Sequence, residues 1–142
     1  MSALVLFDFD GTLADTAPDL AAAARAQNDV QYQAWDMLAG RLAPELGGSL
    51  RYLDIVGVNY YHSNQFEHPD VRLRWEDCPR DDRFEPLYVL LQNVVQRYDR
   101  PLMMAETSHF GAGRALWMHG IAEEIWLARK KGVPIQGVCL YQ

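Results

Sequence analysis

The side chains best placed for chemistry are carboxylates and amides that follow short apolar runs. Asp8 and Asp10 come directly after Leu4-Val5-Leu6-Phe7 and precede Gly11, while Glu106 closes Leu102-Met103-Met104-Ala105. Asn59 holds the same position after Leu53-Asp54-Ile55-Val56-Gly57-Val58, with Tyr60 and Tyr61 behind it. Such runs read as strands buried on both faces, which carry the polar residue to the strand end. A lone Asp-x-Asp pair at such a point is more often a solvated turn. The chemistry it can support is attack by one carboxylate with a divalent cation beside it. His109 lies three residues after Glu106 and can line the same pocket. Trp75, in a charged stretch, offers either a flat apolar surface for a ligand ring or an ordinary loop anchor. His62, Glu67, His68 and Asp70 have the irregular spacing of a solvent-facing or ligand-lining loop rather than of a metal site.

These residues need elements to position them. Thr16 and Asp19 are spaced as a capping box, with Pro18 in the first turn, and predict a long helix to about Leu42. Its apolar stripe, Ala34, Trp35, Leu38 and Leu42, is interrupted at Gln27-Asn28-Asp29. Gly47-Gly48-Ser49 breaks it before the second strand. From His62 to about Glu85 the chain reads as a long loop over a functional face. Pro86 opens a helix with Leu87, Leu90, Leu91, Val94 and Val95 on one side. Leu116, Trp117, Ile121, Ile125 and Ala128 trace another that stops at Gly132, and Trp35, Trp117 and Trp126 read as core. Residues 135–141 form the last strand. The order β-α-β-α-β-α-β, with right-handed crossovers, predicts four parallel strands alternating with three helices in one α/β unit. That pattern fits half of an eight-stranded (TIM-like) barrel or a small open sheet. In either, chemistry belongs at the C-terminal strand ends, where Asp8, Asn59 and Glu106 fall.

Two resemblances cover the chain. The string Asp8-Phe9-Asp10-Gly11-Thr12-Leu13, within residues 1–24, resembles the first motif of haloacid dehalogenase superfamily phosphatases, and is most similar to a phosphoglycolate phosphatase start. The resemblance implies that Asp8 attacks phosphorus, that Asp10 handles the leaving-group proton, and that both serve a magnesium ion. The Gly-Asp pair that completes such a magnesium site is absent from the sequence. The only lysines, Lys130 and Lys131, end a helix.

Residues 25–142 resemble instead the C-terminal part of family 1 glycoside hydrolases, the β-glucosidase group. The similarity rests on residues 53–61, on Arg100-Pro101-Leu102-Met103-Met104-Ala105-Glu106-Thr107-Ser108, and on Gly132-Val133-Pro134-Ile135-Gln136-Gly137-Val138. It implies that Glu106 is the nucleophile of a retaining glycosidase, that Tyr61 orients it, and that Asn59 faces the sugar, with no cofactor. Where that family shows Thr-Glu-Asn-Gly, this chain has Ala105-Glu106-Thr107-Ser108. The Asn-Glu-Pro motif that supplies the acid/base is absent, and the sequence stops at Gln142, before the loop that binds part of the sugar. The two resemblances meet at a seam near residues 24–30.

The resulting expectation is a chimeric or truncated hydrolase-derived chain, mostly a partial β-glycosidase barrel, that is catalytically incomplete. Two alternatives are a magnesium-dependent phosphatase and a half-barrel interaction module that self-associates through exposed sheet edges. Its ligands would be a carbohydrate or a phosphate ester. A length of 142 residues, 49% hydrophobic and 23% charged, suits one globular unit, and a net charge of -6 argues against nucleic acid and anionic membrane as partners. No apolar run reaches a membrane span and the start lacks a basic signal region, which together with two widely separated cysteines, Cys78 and Cys139, predicts a cytoplasmic chain with ordinary thiols.

Overall fold

The computed structural model describes the backbone of Ala3–Val5, residues 29–67 and residues 71–141. The Asp8-to-Leu13 string and most of the seam lie outside the described residues. The elements are strand β1 (Ala3–Val5), helix α1 (Gln33–Leu38), strand β2 (Leu53–Asn59), a hairpin of β3 (Phe66–Glu67) and β4 (Val71–Arg72), helix α2 (Leu87–Tyr98), strand β5 (Leu102–Thr107), helix α3 (Arg114–Lys130) and strand β6 (Ile135–Leu140).

The main sheet is open and parallel, in the order β1-β2-β5-β6. Three of its strands have full length. The first of the four expected strands is represented only by Ala3–Val5, whose backbone runs beside Leu53 to Val56. β2 is Val- and Ile-rich, and Val56 through Asn59 are all buried, as befits a strand covered on both sides. Both long helices pack on one face of the sheet. α2 buries Leu87, Leu91, Val94 and Tyr98, an i, i+4, i+7, i+11 stripe, and α3 buries Trp117, Ile121 and Ala128. They meet Leu53, Val56 and Val58 of β2 and Leu102 and Met104 of β5 in one core. Leu102 is fully buried, and removing such a side chain from water stabilises the fold by about 1.5–3 kcal/mol.

The long first helix ends earlier than its pattern predicts. Its helical turns break at residues 31–32, and α1 has only six residues, so Leu38 and Leu42 are exposed and, of the expected stripe, Trp35 alone is buried. The physical cause is a tight crossing of two glycines. Gly40 adopts φ +75°, and a Cβ on Gly48 would lie 1.9 Å from the Met37 carbonyl oxygen, so only glycine lets the chain fold back there. The 62–85 stretch contains a two-stranded hairpin that its low periodicity hid. Leu116 and Trp126 are exposed, because the stripe that α3 turns to the sheet is narrower than the run of apolar residues on it. Trp126 instead lies flat beside Lys130, whose ammonium is 3.7 Å from the ring centre.

Beneath the sheet a polar network ties α1 to α2. Asp36 is 8% exposed and accepts from Arg97 Nε at 3.0 Å, from Arg97 Nη2, and from the Tyr98 hydroxyl at 3.0 Å. The Arg97 guanidinium also covers the Tyr32 ring at 4.6 Å. Burial alone would raise the Asp36 pKa, but the hydrogen bonds from Arg97 and Tyr98 and the charge of Arg97 outweigh it, and the carboxyl titrates below its ordinary value. A depressed carboxyl pKa stabilises the fold above the unfolded value, near pH 4, and that stability is lost as pH falls through the folded pKa. Asp36→Ala should therefore lower stability by about 2 kcal/mol at neutral pH, moderated by the partial exposure of Arg97. Asp36→Asn should flatten the acid limb of the stability curve below about pH 4. Denaturant melts across that range check both.

Candidate functional site

The polar ends of β2 and β5 meet at one point. β2 and β5 pair in the order Val56–Leu102, Gly57–Met103, Val58–Met104 and then Asn59–Glu106, so Ala105 is an extra residue on β5. That slip reverses which side chains face the helices. Leu102 and Met104 point into the core, and without the slip Glu106 would follow them; instead Thr107 is the buried residue, accepting from Trp117 Nε1 at 3.1 Å. Glu106 is left half-buried beside Asn59, whose Nδ2 donates to Glu106 Oε2 at 3.3 Å. A carboxylate only accepts, so the amide must turn its NH₂ to Glu106, and Asn59 Oδ1 is then buried with no partner among the described residues. The arrangement holds a carboxylate and leaves an acceptor facing any donor that approaches it.

Beyond the strand ends the side chains are aromatic. Tyr60 stacks on Trp117 at 5.6 Å and its hydroxyl accepts from Gln65 Nε2 at 2.9 Å; burial pushes its pKa up to about 12. His62 and His109 have ring centres 4.5 Å apart, and each also packs on Trp117. Trp75 sits edge-on to both His109 and Trp117, at 5.6 and 5.1 Å. His109 Nδ1 is 2.8 Å from the Phe110 carbonyl oxygen, which requires the proton on Nδ1. His62 Nδ1 and Trp75 Nε1 are both buried without a hydrogen-bond partner among the described residues. This cluster joins the 61–85 loop to the segment between β5 and α3.

Of the residues singled out in the sequence, Asn59 and Glu106 are brought into contact, and Trp75 and His109 share the aromatic cluster. Tyr61 is half-buried next to Asn59, its backbone N–H donating to Asn64 Oδ1. Asp8 and Asp10, with the magnesium ion they would hold, lie outside the described residues. Thr107 had no role assigned from the sequence, and His62, expected in a solvent-facing or ligand-lining loop, packs among rings. Trp117, read only as core, is the hub of the cluster. Among the described residues no group of three His, Cys, Asp or Glu could hold a metal ion, and no helix is long and apolar enough to cross a membrane. Cys78 and Cys139 are both free and exposed.

Solved structures share this arrangement of strands and helices. The monomer structure of a hyperthermophilic beta-glucosidase mutant, one that forms a dodecamer in the crystal, matches 88% of this chain with a TM-score of 0.59 and 17% identity. The fold is shared with part of a β-glucosidase. The match takes in 30% of that chain. A beta-glucosidase from Thermotoga maritima in complex with azafagomine overlaps 90% of this chain and 32% of its own at 16% identity and a TM-score of 0.44. This chain thus spans about a third of the length of either enzyme. No family model and no curated protein matches the sequence.

The half-buried His62 imidazole gives the cluster a pH dependence. Burial lowers the His62 pKa below the ordinary 6.5, Arg72 and His109 push the same way, and Glu76 opposes them. The unfolded chain therefore takes up this proton more readily than the folded one. The stability held by neutral His62 is complete above about pH 6.5 and declines as pH falls through the folded pKa. Thermal melts between about pH 7.5 and about pH 5.5 should show a loss of midpoint that is smaller in His62→Phe, which keeps the ring packing without the proton. Equal losses in both proteins would remove His62 as the cause.

Proposed function

We propose that this chain is a partial β-glycosidase barrel in which Glu106 stands as the carboxylate nucleophile and Asn59 holds it in place. The observation that carries this reading is the Asn59 Nδ2 to Glu106 Oε2 contact at adjacent C-terminal strand ends. In a retaining mechanism the Glu106 carboxylate would attack the anomeric carbon, the glycosidic bond would break, and a second carboxylic acid about 5 Å away would protonate the departing oxygen. Asn59 Oδ1, buried and without a partner among the described residues, would accept from a sugar hydroxyl. Tyr61, Trp75 and His109 would line the sugar's approach. The sequence contains no Asn-Glu-Pro to supply the acid, so the leaving group would depart unprotonated and the chain alone would not turn over an unactivated glycoside.

Activity against an aryl β-glycoside, and separately an aryl phosphate with magnesium, tests this beside Glu106→Gln and Asp8→Asn. The expected result is no turnover of either substrate, together with weak binding of a β-glycoside that Glu106→Gln reduces. Glycoside turnover that survives Glu106→Gln would sink the nucleophile assignment, and magnesium-dependent phosphatase activity lost in Asp8→Asn would transfer the function to the N-terminal motif.

The exposed end of the sheet favours a second role for the same unit. On β6 and just beyond it, Val138, Leu140 and Tyr141 are 38%, 57% and 58% exposed, and among the described residues β6 pairs with β5 only. An uncovered apolar edge strand invites another chain. Concentration-dependent self-association should appear in size-exclusion chromatography and weaken in Leu140→Lys. A monomer at all concentrations would count against a half-barrel that pairs.

A further inference from the structure

Apart from the carboxylate pair, the structure holds a cleft of about 200 Å³ between the 61–85 loop, the start of α2 and the middle of α3. Its walls are four rings: Tyr60, Trp75, Phe84 and Trp117. Trp75 stands at 75° to Trp117, giving a corner, and Tyr60 continues the Trp117 face at an interplanar angle of 16°. Leu87 and Ile121, both buried, close the bottom. α3 carries Gly120 at this point, and a Cβ there would meet nothing within 4 Å, so the helix leaves the space open. The next turn places Glu123 and Glu124 on the rim; Glu124 Oε2 already accepts from Tyr88 N at 3.0 Å, while the exposed Glu123 is 3.5 Å from His119.

One feature of the lining shows what the walls accept. Arg80, whose Nε donates to the Trp75 carbonyl at 3.2 Å, lays its guanidinium over the Phe84 ring at 5.2 Å. A planar cation of the protein's own thus already rests on one wall. Ring faces are electron-rich and attract cations, more strongly where water is excluded. The two carboxylates outnumber the one guanidinium on the lining, so the cleft favours positive charge. A cavity of about 150 Å³ suffices for one benzene ring, so this one has room for a single ring with a small substituent.

We propose that this cleft is a binding site for a small planar organic cation, an aromatic amidinium or ammonium, distinct from the Asn59–Glu106 pair. The ring enters the Trp75–Trp117 corner above Gly120 and the charge lies toward Glu123. Tyr60 belongs to the core between sheet and helices, whereas Asn59 meets Glu106. Trp75 is shared with the proposed approach of the sugar, but neither Asn59 nor Glu106 lines the cleft, so Glu106→Gln should leave benzamidine binding unchanged.

Benzamidine is the probe, titrated on the full chain by tryptophan fluorescence and ligand-observed NMR, with benzoate and benzyl alcohol as comparators. Saturable binding in the millimolar range is expected, the scale of a small ligand in a half-open cleft. Gly120→Leu, which fills the space while favouring the helix, should weaken it by about tenfold or more. Glu123→Gln should weaken it a few-fold, and benzoate should not bind. The proposal is overturned if benzamidine does not saturate the wild type, if folded Gly120→Leu binds it as tightly, or if benzoate matches it. Circular dichroism verifies folding; should Gly120→Leu unfold, Phe84→Ala in the loop replaces it, with the same loss expected and the same retention overturning the proposal.

Discussion

The one-residue slip between β2 and β5 is the constraint on which the rest of this structure depends. Up to Val58 and Met104 the two strands pair in simple parallel register, and their apolar side chains face α2 and α3. The extra residue, Ala105, then turns the end of β5 over. A charged side chain that strict alternation would drive into the helix-covered core is brought out beside Asn59, and Thr107 takes its place. Burying the Glu106 carboxylate under Trp117 without a cation would cost several kcal/mol. A threonine hydroxyl there satisfies the Trp117 indole instead. One irregularity thus settles the packing of the core and the position of the acid together.

Trp117 links that strand end to everything above it. Its indole N–H is held by Thr107, its face carries Tyr60, and its edges meet His62, Trp75 and His109. The long loop therefore rests on the same residue that reads the register of β5. The loop is further held by the Gln65 side chain, bonded to the Tyr60 hydroxyl and to both backbone groups of Glu85, and by the Arg72 bond to the His62 carbonyl. Arg100 performs a similar task at the opposite end of the sheet. Its guanidinium donates to the carbonyls of Leu50, Leu53 and Asp99, fastening the start of β5 to the start of β2.

The likeness to part of a β-glucosidase is one of fold, and folds of this kind host many chemistries. What narrows the reading is local: a carboxylate with an amide partner at neighbouring strand ends, and a buried acceptor beside them. In a closed barrel the face that carries Glu106 would be covered by further strands. Among the described residues β6 has a neighbouring strand on one side only, and the apolar residues near its end are exposed.

The sequence by itself determined the parts whose physics is local. Short apolar runs, Val- and Ile-rich in β2 and Leu- and Met-rich in β5, made both strands legible, the i, i+4 stripe of Leu87, Leu91 and Val94 made α2 legible, and the flanking residues of Asn59 and Glu106 marked both as strand-end groups. Tertiary structure decided whatever rests on distant partners. The periodicity of residues 33–42 predicted a continued helix, but the approach of Gly48 to Met37 and Gly40 ended it. Trp126 and Leu116 carry the apolar character of core residues, yet α3 has only one face against the sheet and they lie outside it. His62 looked like a solvent-facing or ligand-lining loop residue because nothing nearby in sequence reveals the rings of His109 and Trp117. Above all, the slip at Ala105 leaves no mark in composition or periodicity. It arises from the competition between two strands for register, and it alone put Glu106 opposite Asn59.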